Sequence, residues 1–177
     1  MNFGNLFARN IRPEIAGLAH YAMELAGDSD LPRYSAFDPH RVWAICDYIY
    51  LLDVIDNGND YYCSFSGKRM AVLFGYEFKG VRLSEFPDPE LGMALRRTYD
   101  RVVETHNPSF MRARYAWPEK KSIFIERLLI PMADDDGQLN AICGISIPEV
   151  ADVDIEMYAG HGPARLISED DLMLVAS

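Results

Sequence analysis

One carboxylate interrupts the most apolar run of this chain. Glu126 stands in Ile123-Phe124-Ile125-Glu126-Arg127-Leu128-Leu129-Ile130. A carboxylate with such neighbours needs a partner, or its pKa rises. It is therefore the sharpest candidate for a ligand contact, a buried switch or a general base. The ordinary structural reading is a salt bridge, with Arg69 or Arg82 as partner, or a strand parity shifted by one residue that puts Glu126 outside. Strand alternation sets Phe124, Leu128, Ile130 and Met132 on the same face as Glu126, and it groups Tyr61, Cys63 and Phe65 in the same way. Tyr99, Tyr115 and Trp117 offer polar tips that serve a core or a pocket wall equally well. Arg96, Arg97, Arg101, Arg112 and Arg114 would make an anion patch if they converged, or a solvated face beside neighbouring acids if they did not.

Other chemistry is poorly represented. Cys46, Cys63 and Cys143 are far apart and form no CxxC or Cys/His ligand spacing, so they read as reduced, packed thiols rather than a zinc or redox site. His20, His40, His106 and His161 are scattered and do not suggest an axial heme ligand. No Cys lies between residues 67 and 90 to form a flavin adduct. There is no Gly-rich phosphate loop, no GxSxG turn and no HExxH.

The elements that must position these residues follow from periodicity and turn chemistry. Ile11, Ile15, Leu18, Ala22 and Leu25 recur at helical spacing, and Gly27 stands where a helix C-terminal glycine belongs. Asp38-Pro39 and Asp88-Pro89 each pair an N-cap with Pro at the first helical position. The second of these opens a helix with Leu91, Leu95, Tyr99 and Val102 on one face, stopped by Asn107-Pro108. Residues 48–54 and 61–66 flank the turn cluster Asp56-Asn57-Gly58-Asn59-Asp60 and form a hairpin. Strands over 110–117, 123–132 and 139–147 follow, with turns at 118–120 and 134–137. Strands segregated from helices in this order predict an α+β domain with helices on an antiparallel sheet.

Of the 177 residues, 49% are hydrophobic and 25% charged, enough apolar material for a core. Acids outnumber bases 27 to 17, which argues against nucleic acid as a partner. No apolar stretch is long enough to insert into a membrane and no secretory signal opens the chain, so a cytoplasmic protein is expected. Three regions are predicted: a helical extension over 1–47, a mixed domain over 48–148 and a tail over 149–177. The tail carries seven acids against Arg165 and a Gly160-His161-Gly162-Pro163 break, the signature of a peripheral or mobile segment.

Six motifs now fall into order: LPRYSAFDP (31–39), YIYLLDV (48–54), YYCSFSGKRM (61–70), LFGYEFKG (73–80), YDRVVETHNP (99–108) and IERLLIPMADDDGQLNAICG (125–144). In this order they resemble the bacterial PAS_5 family of small PAS-like proteins over residues 31–147. Cys63 and Ser64 depart from it, standing where the family usually has Tyr and Arg. The resemblance implies a PAS-like five-stranded antiparallel sheet, short helices over one face and a small interior. It also implies a sensory or adaptor role in bacterial signal transduction, commonly as a homodimer built with an N-terminal helix.

With Met132 facing inward, as in a PAS sheet, the expected pocket residues are Tyr61, Cys63, Phe65, Tyr99, Tyr115, Phe124, Glu126 and Leu128. The cofactor is left open. The expected partners are a small-molecule ligand or a protein that receives the output in trans, with no nucleic acid and no membrane insertion. Because the strand 123–130 is apolar on both faces, its outer face also needs a cover, and helix 11–26 is the available lid unless it pairs with another subunit. Two rival readings are kept: an enzyme using Glu126 as a buried base with Tyr99 or Tyr115, and an oligomerisation module with a dry core.

Overall fold

The hairpin is where local chemistry dictates most. Strands β1 (Ile49–Ile55) and β2 (Asp60–Ser66) pair antiparallel across a 3-10 turn, Asp56–Gly58. Asp56 and Asn57 have φ of 47° and 57° and Gly58 has 93°, a left-handed run that Asp, Asn and Gly tolerate best. The turn feeds a sheet whose residues are described by a computed structural model over 3–118, 122–149 and 164–173.

Before the sheet come a short helix α1 (Gly4–Phe7), the helix α2 (Pro13–Ala26) and a kinked 3-10 segment, Pro39–Tyr48. Asp38 caps that segment by accepting from the His40 amide, as its sequence suggests. Helix α3 (Lys68–Phe74) ends on Gly75 at φ 73°. Helix α4 (Pro89–Thr105) is capped by Asp88, whose carboxylate accepts from the amides of Glu90 and Leu91, both at 3.0 Å. Strands β3 (Ser109–Ala116), β4 (Ile123–Ala133), β5 (Leu139–Pro148) and β6 (Arg165–Met173) complete the chain. All neighbours are antiparallel, in the order β2-β1-β5-β4-β3-β6. The fold is α+β, as expected, with one strand more than expected.

The extra strand comes from the acidic tail. Residues 165–173 pair along the whole of β3, with position 170 in register opposite Arg112. Charge repulsion favours a mobile tail, but an edge strand needs only a backbone ladder on one side and tolerates charge, and residues 165–173 take that form. The break at 160–163 lies outside the described residues.

Register defines two faces. Tyr50, Leu52, Tyr61, Cys63, Met111, Ala113, Tyr115, Ile125, Arg127, Leu129, Gly144 and Ser146 share the inner one through the pairings Tyr50↔Gly144, Leu52↔Cys63, Arg127↔Ser146, Met111↔Arg127 and their alternate neighbours. Helices α3 and α4 cover this face. Phe74 of α3 packs edge-on to Tyr115 at 5.2 Å, and Tyr99 of α4 does the same to Tyr61 at 5.2 Å. The outer face is covered by α2, which meets β4 and β5 and buries Ile15, Leu18, Ala19 and Ala22. The predicted lid is therefore in place. Each fully buried Ile or Leu on that stripe contributes about 1.5–3 kcal/mol.

Candidate functional site

The sequence reading of the site depended on which face of β4 points inward, and the structure reverses that choice. Arg127, not Glu126, faces α3 and α4. The Glu126 carboxylate lies on the outer face, where its Oε2 accepts from the Arg12 amide at the start of α2, 3.3 Å away. Of the two expected partners, Arg82 lies 3.7 Å from Asp60 instead, and Arg69 belongs to α3, on the opposite side of the sheet. Phe124 is on the outer face too, under the guanidinium of Arg112 at 4.2 Å and that of Arg114 at 5.8 Å. Leu128 pairs in register with Ile145 and is buried there in the core beneath α2. Alternation could not choose between the faces because β4 is buried on both, so neither polarity nor hydrophobicity marks one as interior.

Phe65 leaves the expected face for a different reason. Between Leu51 and Leu52 the register shifts: Leu52 faces Cys63 and Leu51 faces Phe65, with Ser64 as the additional residue. A bulge breaks the period of two, so Phe65 joins Leu51 on the outer side while Tyr61 and Cys63 stay inside. The four expected residues brought together on the inner face or over it are thus Tyr61, Cys63, Tyr99 and Tyr115. Their grouping leaves Glu126 apart from both phenols with which an enzyme would have used it.

Two adjoining voids of about 20 Å³ each lie between this face and the helices. They share Leu52, Cys63, Phe78, Leu95 and Tyr99 as walls; Tyr61 closes the first, while Tyr50, Phe74 and Arg127 close the second. Each is about large enough for one water-sized occupant. The segment between α3 and α4 forms the far wall through Phe78 and Phe86, whose rings stack at 5.4 Å. A larger cleft of about 580 Å³, beside Arg33, His106 and Asp134, is open and polar and contains no buried charged side chain.

The polar end of the interior is the part that sequence reasoning missed. Arg127 is only 4% exposed. Its Nε donates to Ser146 Oγ and its Nη2 to the Tyr115 hydroxyl, both at 3.1 Å. Burial acts against its charge and the surrounding phenols of Tyr115, Tyr50 and Tyr99 favour it; the phenols win and its pKa is raised. Tyr50 reaches this cluster by laying its ring across Gly144, where an added Cβ would fall 2.2 Å from the ring. The Tyr50 hydroxyl is buried without a hydrogen bond among the described residues. Ser146 and Tyr99 are near enough to affect its ionisation, yet neither closes a bond of ordinary geometry. Burial pushes the phenols of Tyr50 and Tyr99 upward, so both stay protonated at neutral pH. The signal for this cluster was present in the sequence: the arginine beside Glu126 is the same anomaly in an apolar strand, read with the opposite parity.

The remaining candidates have structural occupations. Tyr61 donates to Asp100 at 2.7 Å, and burial raises its pKa. Cys63 is a buried thiol with its pKa pushed up to about 12 by burial, and Cys143 likewise. Trp117 donates through Nε1 to the Leu73 carbonyl at 2.9 Å. Arg96 binds the Gly58 and Asn59 carbonyls while Arg112 and Arg114 attend Phe124, so the five arginines form no single patch.

An antiparallel sheet wrapped over short helices and a small interior defines the PAS architecture. The chain belongs to the PAS_5 family, described as a PAS domain, which matches residues 10–147. No curated protein matches the chain. Among solved structures, the PAS domain of Bordetella pertussis BvgS is 18% identical, with 60% of this chain and 79% of that one covered at a TM-score of 0.46. VqmA bound to DPO is 14% identical at 0.45; the match covers 59% of this chain and 52% of VqmA, about half its length. A sensory box sensor histidine kinase from Vibrio cholerae is 15% identical at 0.41, covering 62% and 90%. At such identities these likenesses say nothing of ligand or output for this chain. Among the described residues, no helix is long and apolar enough to cross a membrane.

Proposed function

We propose that this protein is a PAS-type sensory module of bacterial signal transduction that takes a small molecule in its interior and hands its state to a partner protein in trans. The observation that supports this reading most is the pair of voids on the inner face, with a buried guanidinium at one end and a phenol that has no hydrogen-bond partner among the described residues. A core built only for stability gains nothing from an unsatisfied buried hydroxyl. Residues 48–148 would hold the ligand. Residues 1–47 and 149–177, packed on that unit through α2 and β6, would carry its state outward. A ligand can shift such a module only by its differential affinity for two states. The reading includes a dimer, formed away from the apolar stripe of α2 because that stripe is buried on its own sheet. It also places the protein in the cytoplasm, where its free thiols would stay reduced.

Native mass spectrometry of the purified protein, compared with its denatured mass, tests the reading. The expected result is a reproducible extra mass that denaturation removes, on a dimer. A bare mass that no metabolite extract alters would overturn ligand binding and leave an adaptor. Mixing Glu126 into the chemistry, as an enzyme would require, is not supported by a carboxylate that bonds to the other side of the sheet.

A further inference from the structure

The interior is not electrically neutral. Arg127 remains a cation at any ordinary pH. Among the described residues its two hydrogen bonds go to hydroxyls, and the groups that act on its charge are the phenols of Tyr115, Tyr50 and Tyr99, with no carboxylate among them. The neighbouring acid, Glu126, points through the sheet to α2. A desolvated guanidinium without a counter-charge is costly, and buried charges are ordinarily paired. Tyr50, whose buried hydroxyl has no hydrogen-bond partner among the described residues, lines the same void. A cation and a free donor on one side of an apolar hollow complement one kind of group, a carboxylate, which accepts from both.

We infer that the interior takes a small organic monoanion, with its carboxylate against Arg127 and the Tyr50 hydroxyl and its apolar body along Leu52, Cys63 and Leu95 toward the void that Tyr61 closes. This rests on the ligand-binding reading above and narrows it to a chemical class. The void at Arg127 is about 20 Å³, room for one water-sized group, so a carboxylate head enters only as the surrounding side chains move apart. A longer body displaces Phe78 from the wall that both voids share.

The test uses matched probes: acetate and butyrate against their neutral twins acetamide and butyramide, at constant ionic strength. Thermal shift and an NMR titration of the Arg127 side-chain N–H are the two readouts. Carboxylates are expected to raise the melting temperature and move the Arg127 resonance at millimolar concentration, with butyrate stronger than acetate and the amides about tenfold weaker or silent. Arg127→Met should abolish the response. Tyr50→Phe should weaken it several-fold without loss of fold, which keeps the test valid if the arginine variant does not fold. Equal binding of acids and amides would overturn the anion assignment and leave the pocket standing. Binding of neither, with an extra mass still present by native mass spectrometry, would overturn the carboxylate class alone; binding of neither with a bare mass would overturn both.

Discussion

Tyr50 and Tyr115 are both buried phenols beside Arg127, yet only Tyr115 is bonded to it. Removing the two hydroxyls should therefore have different consequences. Tyr115→Phe strips a charged donor of its acceptor and should cost about 1–3 kcal/mol in denaturant melts. Tyr50→Phe removes a group that nothing satisfies and should be neutral or slightly stabilising. Equal losses in both would mean that Tyr50 is bonded after all. Asp60 gives the pH-dependent case. Its burial works to raise its pKa, but the Ser84 hydroxyl, the amides of Tyr61 and Ser84 and the Arg82 charge prevail, and its pKa is lowered. A depressed folded pKa gives stability that is present above the unfolded value near 4 and lost as pH falls through the folded one. Asp60→Asn should thus cost on the order of 1 kcal/mol at neutral pH, and the gap from the unaltered protein should close in acid, as chemical melts across pH would show.

Two glycines decide how elements approach one another. At Gly144 a Cβ would fall inside the Tyr50 ring, and at Gly67 it would fall 2.3 Å from the Cys46 carbonyl oxygen. The first obstacle is a side chain and the second is backbone. Gly144→Ala should destabilise by about 2–4 kcal/mol, and a second change, Tyr50→Ala, should recover part of the loss by emptying the space. Gly67→Ala should be at least as severe and have no such rescue, because the β2–α3 junction cannot shift away from Cys46 and Asp47. Double-mutant cycles on melting free energies separate the two cases. Helix α4 tests ordinary capping: Asp88→Ala leaves two amides bare and should cost about 1 kcal/mol.

For the molecule as a whole, β6 shields one edge of the sheet. It lies along β3 from Ser109 to Ala116, and without it that strand would present its unpaired amides and carbonyls to other chains. Truncation after residue 164 should leave the inner and outer cores largely intact, since among the described residues the fully buried side chains come from before β6 and Leu166 of β6 is only half-buried against them. Its expected effect is concentration-dependent self-association with little change in melting temperature, read by light scattering beside calorimetry. A large fall in melting temperature without association would instead make β6 part of the cooperative core.

The sequence by itself determined the element order, the hairpin turn, the Asp-Pro helix starts and the need for a cover on both faces of β4, because these rest on local propensity, capping and hydrophobic period. It also supplied the PAS-like resemblance and the shared inner placement of four residues: Tyr61, Cys63 and Tyr115 on the inner face and Tyr99 over it. Tertiary structure alone decided three matters. A strand buried on both faces has no polarity to fix its parity, so whether Glu126 or Arg127 entered the interior depended on which side α2 and α4 took. The bulge at Ser64 inserted one residue and reversed Phe65, which no period-two reading can foresee. The acidic tail became β6 because β3 had a free edge, a property of the sheet and not of residues 165–173.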